Sequence, residues 1–171
     1  MVKYCSLGIV FFLALLMLSA CGGGGGGAGT AYTTVTLKVN LNGDTGGKAI
    51  IGAGFTLTLP SNAAPAMVNG VVADGVVKPS GTFAGSTILP AVTYTPAAGT
   101  IPGKLVIIIA NSLPAGVTTA GEVATVTLQL ANGTALSAVN FVLDSIPGSV
   151  IDVSGNPVPG MTASVTGVTL Q

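Results

Sequence analysis

Five carboxylates, on Asp44, Asp74, Glu122, Asp144 and Asp152, are the acid–base side chains available to a 171-residue chain that has neither histidine nor arginine. Two of them about 5–9.5 Å apart would suit glycoside hydrolysis. Asp144, Asp152 and Asn156 are close in sequence and carry the oxygens that Ca2+ prefers. No Asp-x-Asp spacing repeats, however, to supply the six to eight ligands that ion takes. Turn formation is the simpler account. Asp44 and Asp74 stand beside turn glycines and Asp152 opens a turn-like stretch, where an aspartate accepts hydrogen bonds from its own backbone. Glu122 follows Gly121 at a strand start and is expected to be solvated. The missing histidine removes the commonest general base and metal ligand, and the missing arginine removes a bidentate clamp on phosphate. Five lysines balance five acids, which leaves no basic footprint for nucleic acid. The residues thus point away from an enzyme, a bound metal or a cofactor.

What remains is chemistry of contact. A sugar ring stacks on an aromatic face, and with no tryptophan the natural candidates are Tyr32 and Tyr94, since phenylalanine more often fills core. Tyr94 follows Pro90-Ala91-Val92-Thr93, which reads as an exposed strand end. The second candidate is Leu105-Val106-Ile107-Ile108-Ile109. Five successive aliphatics cannot all face one side of a strand. Either both faces are covered, or Val106 and Ile108 form an apolar outer face on which another protein docks.

The elements that must position these residues follow from period-two alternation. Val35, Leu37, Val39 and Leu41 alternate with Thr34, Thr36, Lys38 and Asn40. Phe55, Leu57 and Leu59 alternate with threonines, as do Ala124, Val126, Leu128 and Leu130 with Thr125, Thr127 and Gln129. Val139, Phe141 and Leu143 alternate with Asn140 and Val142, so a strand is expected there too. Each pattern suits a half-buried antiparallel strand. Turn signals such as Asn69-Gly70, Asp74-Gly75 and Pro102-Gly103 separate them, and Asn132-Gly133 between two apolar runs is the strongest hairpin signal. Near the end, Met161, Ala163 and Val165 share one parity and Val168 and Leu170 the other, so a bulge is expected at Gly167. The sum is an all-β fold, an antiparallel β-sandwich over residues 32–171.

The first 21 residues read differently. Lys3 precedes an unbroken apolar run from Ile9 to Leu18, too short for a permanent transmembrane helix. Leu18-Ser19-Ala20-Cys21 resembles the lipobox of bacterial lipoproteins. The resemblance implies a signal peptide over residues 1–20, cleavage before Cys21, and lipidation of Cys21. Gly22 in the next position implies, by analogy with Gram-negative sorting, an outer-membrane location on the periplasmic or surface face. The mature chain would then hold no thiol, because Cys5 leaves with the leader, and four lysines would face five acids. Six glycines from Gly22 to Gly27 have neither a preceding strand nor a following Lys-Ser/Thr, so residues 21–31 read as a lipidated cysteine and a flexible tether rather than a phosphate loop.

The sandwich itself resembles a cohesin-type domain, within the group that includes carbohydrate-binding modules. Three stretches carry the likeness: Ala53-Gly54-Phe55-Thr56-Leu57-Thr58-Leu59; Gly121-Glu122-Val123-Ala124-Thr125-Val126-Thr127-Leu128; and Phe141-Val142-Leu143 with the later Asp152-Val153-Ser154-Gly155-Asn156-Pro157. Where that family often has Tyr-Asp-Pro, this chain has Leu59-Pro60-Ser61-Asn62. The resemblance implies jelly-roll topology and a non-catalytic module that binds a dockerin-like protein or a polysaccharide. The alternative is a structural envelope lipoprotein without a discrete ligand.

Overall fold

The computed structural model describes residues 32–88, 92–111 and 114–171. The leader, Cys21 and the glycine tether lie outside the described residues. Thirteen strands follow one another: β1 (Tyr32–Asn42), β2 (Ile50–Leu59), β3 (Ala63–Ala64), β4 (Met67–Val68), β5 (Val71–Val72), β6 (Val77–Pro79), β7 (Thr87–Ile88), β8 (Thr93–Thr95), β9 (Gly103–Ala110), β10 (Gly121–Gly133), β11 (Val142–Ser145), β12 (Ile151–Asp152) and β13 (Thr162–Leu170). Two single 3-10 turns, at Gly81–Phe83 and Ala138–Asn140, complete the list. Among the described residues no helix is long and apolar enough to cross a membrane.

The strands form an antiparallel β-sandwich. In the first sheet the order is β13-β1-β10-β3, with β6 also on β10. In the second it is β11-β2-β9-β7, with β12 on β2 and β8 on β9. The alternating residues explain the layering. Val35, Leu37 and Val39 of β1, with Val126 and Leu128 of β10, are fully buried against Phe55 and Leu57 of β2 and Leu105, Ile107 and Ile109 of β9. Each such side chain contributes roughly 1.5–3 kcal/mol by leaving water. Because a one-residue slip would turn every one of them outward, the alternation also sets the register.

Two bulges keep apolar residues inward where the parity changes. Opposite β1, Lys38 pairs with Gly167 but Val39 pairs with Val165, so Thr166 is the extra residue of the bulge beside Gly167. Ala163 and Val165 on one side of it, and Val168 and Leu170 on the other, all pack on the core. On the opposite flank, Val39 pairs with Ala124 and Asn40 with Glu122, and Val123 and Ala124 are both buried.

Two expectations are corrected. Asn132-Gly133 does not make a hairpin: β10 runs through to Gly133 and pairs with β1, and the next strand, β11, pairs with β2 in the other sheet. The strand expected from Val139 starts only at Val142. Ser137 donates its backbone N–H to Asn140 Oδ1 at 2.8 Å and accepts the Asn140 N–H at 3.0 Å. That cap winds residues 138–140 into a 3-10 turn, leaving Val139 88% exposed while Phe141 goes into the core.

The pairings also define the two ends of the sandwich. Tyr32 of β1 pairs with Gly133 of β10, and Leu59 of β2 pairs with Gly103 of β9. The link from Leu59 to Ala63, which pairs with Leu130, joins these into one end. Asn42, Gly121, Ile50 and Asp152 mark the other.

Candidate functional site

One side of the sandwich is left open, where the interrupted edges β3/β6 of one sheet and β7/β8 of the other face each other. The chain partly closes it with a small hairpin. β4 pairs with β5 around Asn69-Gly70, both at positive φ (51° and 81°), the two-residue turn that Asn-Gly favours. The hairpin is rooted where the Ala73 N–H donates to the Ala66 carbonyl at 2.8 Å, and β5 approaches β8. Between hairpin and edge strands lies a groove of about 580 Å3, lined by Met67, Val71, Val72, Ile88, Tyr94 and the carboxylate-bearing Asp74, among others.

Tyr94 sits in this groove, but not as an exposed strand end. It is half-buried, pairs with the inward Leu105, and packs against the core. Its ring and hydroxyl lie over Gly103, where a Cβ would come within 3.3 Å of the Tyr94 oxygen. Gly103 thus makes room for the Tyr94 ring, and Tyr94 is among the residues that line the groove. Met67, Val68 and Val71 on the hairpin are exposed, an unusual concentration for large aliphatics at a two-residue turn.

Val106 and Ile108 do not line the groove. They are half-buried on the outer face of β9, between the two alternatives expected. The partial cover near Ile108 has a local cause. Its partner on β2 is Gly54, and the segment after β11 lies over that glycine: Ser149 Oγ accepts the Gly54 N–H at 3.2 Å and donates to its carbonyl at 2.8 Å. Tyr94 and the Val106/Ile108 face are therefore separate places. Tyr32 begins β1 at the opposite flank of β10 from the hairpin, so the two tyrosines do not share a site.

Three of the five acids are occupied in structural contacts. Asp44 Oδ1 accepts the Gly46 N–H at 2.8 Å, as its turn position predicts. Asp152, only 7% exposed, accepts the backbone N–H of Ser154 and of Asn156 on Oδ1, each at 2.9 Å, while Lys48 lies 3.7 Å from Oδ2. The Asn156 and Ser154 bonds, with Lys48, hold its pKa below the usual aspartate value against the opposing effect of burial. Glu122 is not the solvated side chain expected. Ser80 Oγ donates to one oxygen at 2.7 Å and Lys38 Nζ to the other at 2.9 Å, and these bonds, Ser80's first, lower its pKa. The Glu122 carbonyl in turn accepts from Thr82 Oγ1. Among the described residues no three His, Cys, Asp or Glu side chains come together as a metal site would require.

Set against known protein families, curated proteins and solved structures, the chain matches none of them. What defines the class is thus the molecule itself: an all-β sandwich with a groove along one edge.

Proposed function

We propose that the protein is a lipid-anchored component of the cell envelope, attached through Cys21, whose cohesin-like sandwich is a non-catalytic binding module. The observation that carries the binding role is the groove beneath the β4–β5 hairpin, where Tyr94, Asp74 and a set of aliphatic residues line one cleft. An aromatic face offers stacking area to the C–H side of a sugar, and a carboxylate accepts bonds from its hydroxyls. A polysaccharide is therefore the better ligand for this cleft. The second reading is a dockerin-like protein on the outer face of β9. It is supported by the half-exposed Val106 and Ile108, and opposed by the 146–149 segment lying over the neighbouring Gly54. The lipobox resemblance at residues 18–21 supports the anchor and the outer-membrane placement.

The test is a polysaccharide array probed with the purified full chain in detergent, run beside a pull-down with the same protein. Tyr94→Ala should weaken polysaccharide binding by about tenfold, the loss expected from one aromatic contact. Because Tyr94 also packs at the rim, Asp74→Asn serves as the second variant, and it should weaken binding with folding unchanged. Folded protein that binds no polysaccharide, and a partner lost on Ile108→Asp instead, would move the site to the β9 face. Silence in both assays would leave a structural envelope protein.

A further inference from the structure

The end of the sandwich at which the tether enters is chemically unlike the other. Three chain segments converge there with β1's first residue: 60–62, 96–102 and 134–141. None of the three carries a charged residue. On them, or at the strand start they lead to, are three of the large aliphatics that remain exposed: Val139 (88%), Ile101 (62%) and Val142 (54%). Ile101 precedes β9 and Val142 opens β11, the two strands that flank β2, and Val139 lies on the turn that leads into β11, so all three are at the same end of the sandwich. The charge nearest Ile101 along the chain is Lys104, opposite Thr58, and the one nearest Val142 is Asp144, on the same face of β11. The nearest acid on this sheet, Asp144, stands two residues further along β2, opposite Thr56. Asp44, Lys48, Glu122 and Asp152 all belong to the far end, whose exposed large aliphatic among the described residues is Val153.

We infer that this end docks on the bilayer that carries the anchor, with Ile101, Val139 and Val142 seated at the boundary of headgroups and acyl chains. The inference rests on the lipid-anchor reading and goes beyond it. A lipid surface, rather than a protein, is favoured by where the undescribed chain ends. Ten residues, 22–31, separate Cys21 from β1, and a glycine-rich coil of that length has an r.m.s. reach of about 16–19 Å. The tether thus delivers the uncharged, apolar end of the domain to the membrane at high effective concentration, so that weak contacts suffice. Shallow apolar side chains suit the headgroup boundary, and Lys104 and Asp144 behind them stay at the level of the aqueous rim. The groove, on the side of the sandwich, stays open in this orientation.

The mature chain's lack of a free thiol makes the test direct. Single variants Val139→Cys, Ile101→Cys and Val153→Cys of the full chain are labelled with an environment-sensitive fluorophore. They are then reconstituted in vesicles of phosphatidylethanolamine and phosphatidylglycerol with nitroxide-bearing lipid. Labels at positions 139 and 101 should shift to the blue and lose fluorescence to the nitroxide, while the label at 153 should do neither. Flotation with the vesicles and the mass of the amino-terminal peptide report the anchor independently. An acylated, floating protein whose position-139 label is as aqueous as that at 153 overturns the docking and leaves the anchor standing. A blue shift without nitroxide quenching points to a second copy on this end and also overturns it. An unacylated Cys21 overturns both readings.

Discussion

At the far end of the sandwich polar side chains tie separate loops together, whereas at the end where β1 begins the Ser137–Asn140 cap stays within its own turn. At the far end Thr45, buried, donates its hydroxyl to the Thr118 carbonyl at 3.1 Å. Asp152 gathers two backbone N–H groups and Lys48, and Glu122 joins Ser80 to Lys38 across β10 and β1. The end where β1 begins has uncharged loops and exposed aliphatics among its described residues. A domain without cysteine over residues 32–171 must still order its loops, and the contrast shows where its specific contacts fall. The far loops are locked onto one another, whereas the near loops leave their apolar side chains to an outside surface.

Glycines at the two ends give the sharpest way to break this comparison. Gly43, at φ 123°, packs so closely on the loop before β13 that a Cβ would stand 2.7 Å from the Gly160 carbonyl oxygen. Gly99, at φ 59° in the loop 96–102 at the end where β1 begins, has nothing within 4 Å of the same position. Both substitutions to alanine strain the backbone, but only the first also drives two loops apart. Gly43→Ala should cost about 3 kcal/mol, and Gly99→Ala about 1 kcal/mol. Chemical denaturation followed by circular dichroism measures both, and equal costs would mean that the far loops are no more tightly joined than the near ones.

Acid should unlock the far end first. Asp152 and Glu122 both have folded pKa values below their unfolded ones, so in the window between the two values the unfolded chain binds more protons than the folded chain. Their stabilisation is complete above the unfolded value, about 4, and is lost as pH falls through the folded values. Melting at pH 7 and at about pH 3 should show this loss in the native protein. Asp152→Asn should melt lower at pH 7 and show a flatter dependence on acid, since Asn cannot titrate. An unchanged pH slope would mean that the Ser154 and Asn156 bonds do not depend on the carboxylate charge.

Glu122→Gln probes the same end at smaller amplitude. Its side chain is 24% exposed and its lysine partner 56%, so screening reduces what the pair contributes. The amide still accepts a bond from Ser80. A loss of about 0.5–1 kcal/mol is expected, diminishing in high salt. A loss that salt does not change would assign the effect to the Ser80 hydrogen bond rather than to Lys38.

How much of this was legible in the residues depends on the kind of pattern. Thr-rich alternation in 34–41, 55–59 and 124–130 reports directly which face is buried, and the parity change around Gly167 reports the bulge, because both are local consequences of a pleat with period two. Pairing is not local. Nothing in Asn132-Gly133 tells whether the next strand returns to the same sheet, and here it crosses to the other. The alternation at Val139 was overridden by a cap between Ser137 and Asn140, three residues apart. The groove was the least legible feature. Asn69-Gly70 marks a turn, but its strands are two residues each, too short for any periodicity, and Tyr94 meets Met67 and Ile88 only through the way two interrupted edges line up. The half-burial of Ile108 likewise depends on a segment some forty residues later, over Gly54.

The smallest expected effect falls at the end where β1 begins. Val139 stands almost wholly in water on its 3-10 turn, so replacing it removes no packing, and Val139→Asp adds a charge that water solvates freely. Stability should change by no more than about 0.5 kcal/mol, the usual range for a surface position without a special role. The same is expected of Ile101→Asp, which is also exposed, provided the Ala98 and Ile101 backbones keep their mutual hydrogen bonds of 3.0 Å. Charged variants at a far-end position of similar exposure, such as Val153, serve as the reference. If Val139→Asp destabilised the chain by several times that amount, the turn would be making contacts that its exposure does not show, and the aliphatics of this end would be part of the fold rather than a surface held ready for something else.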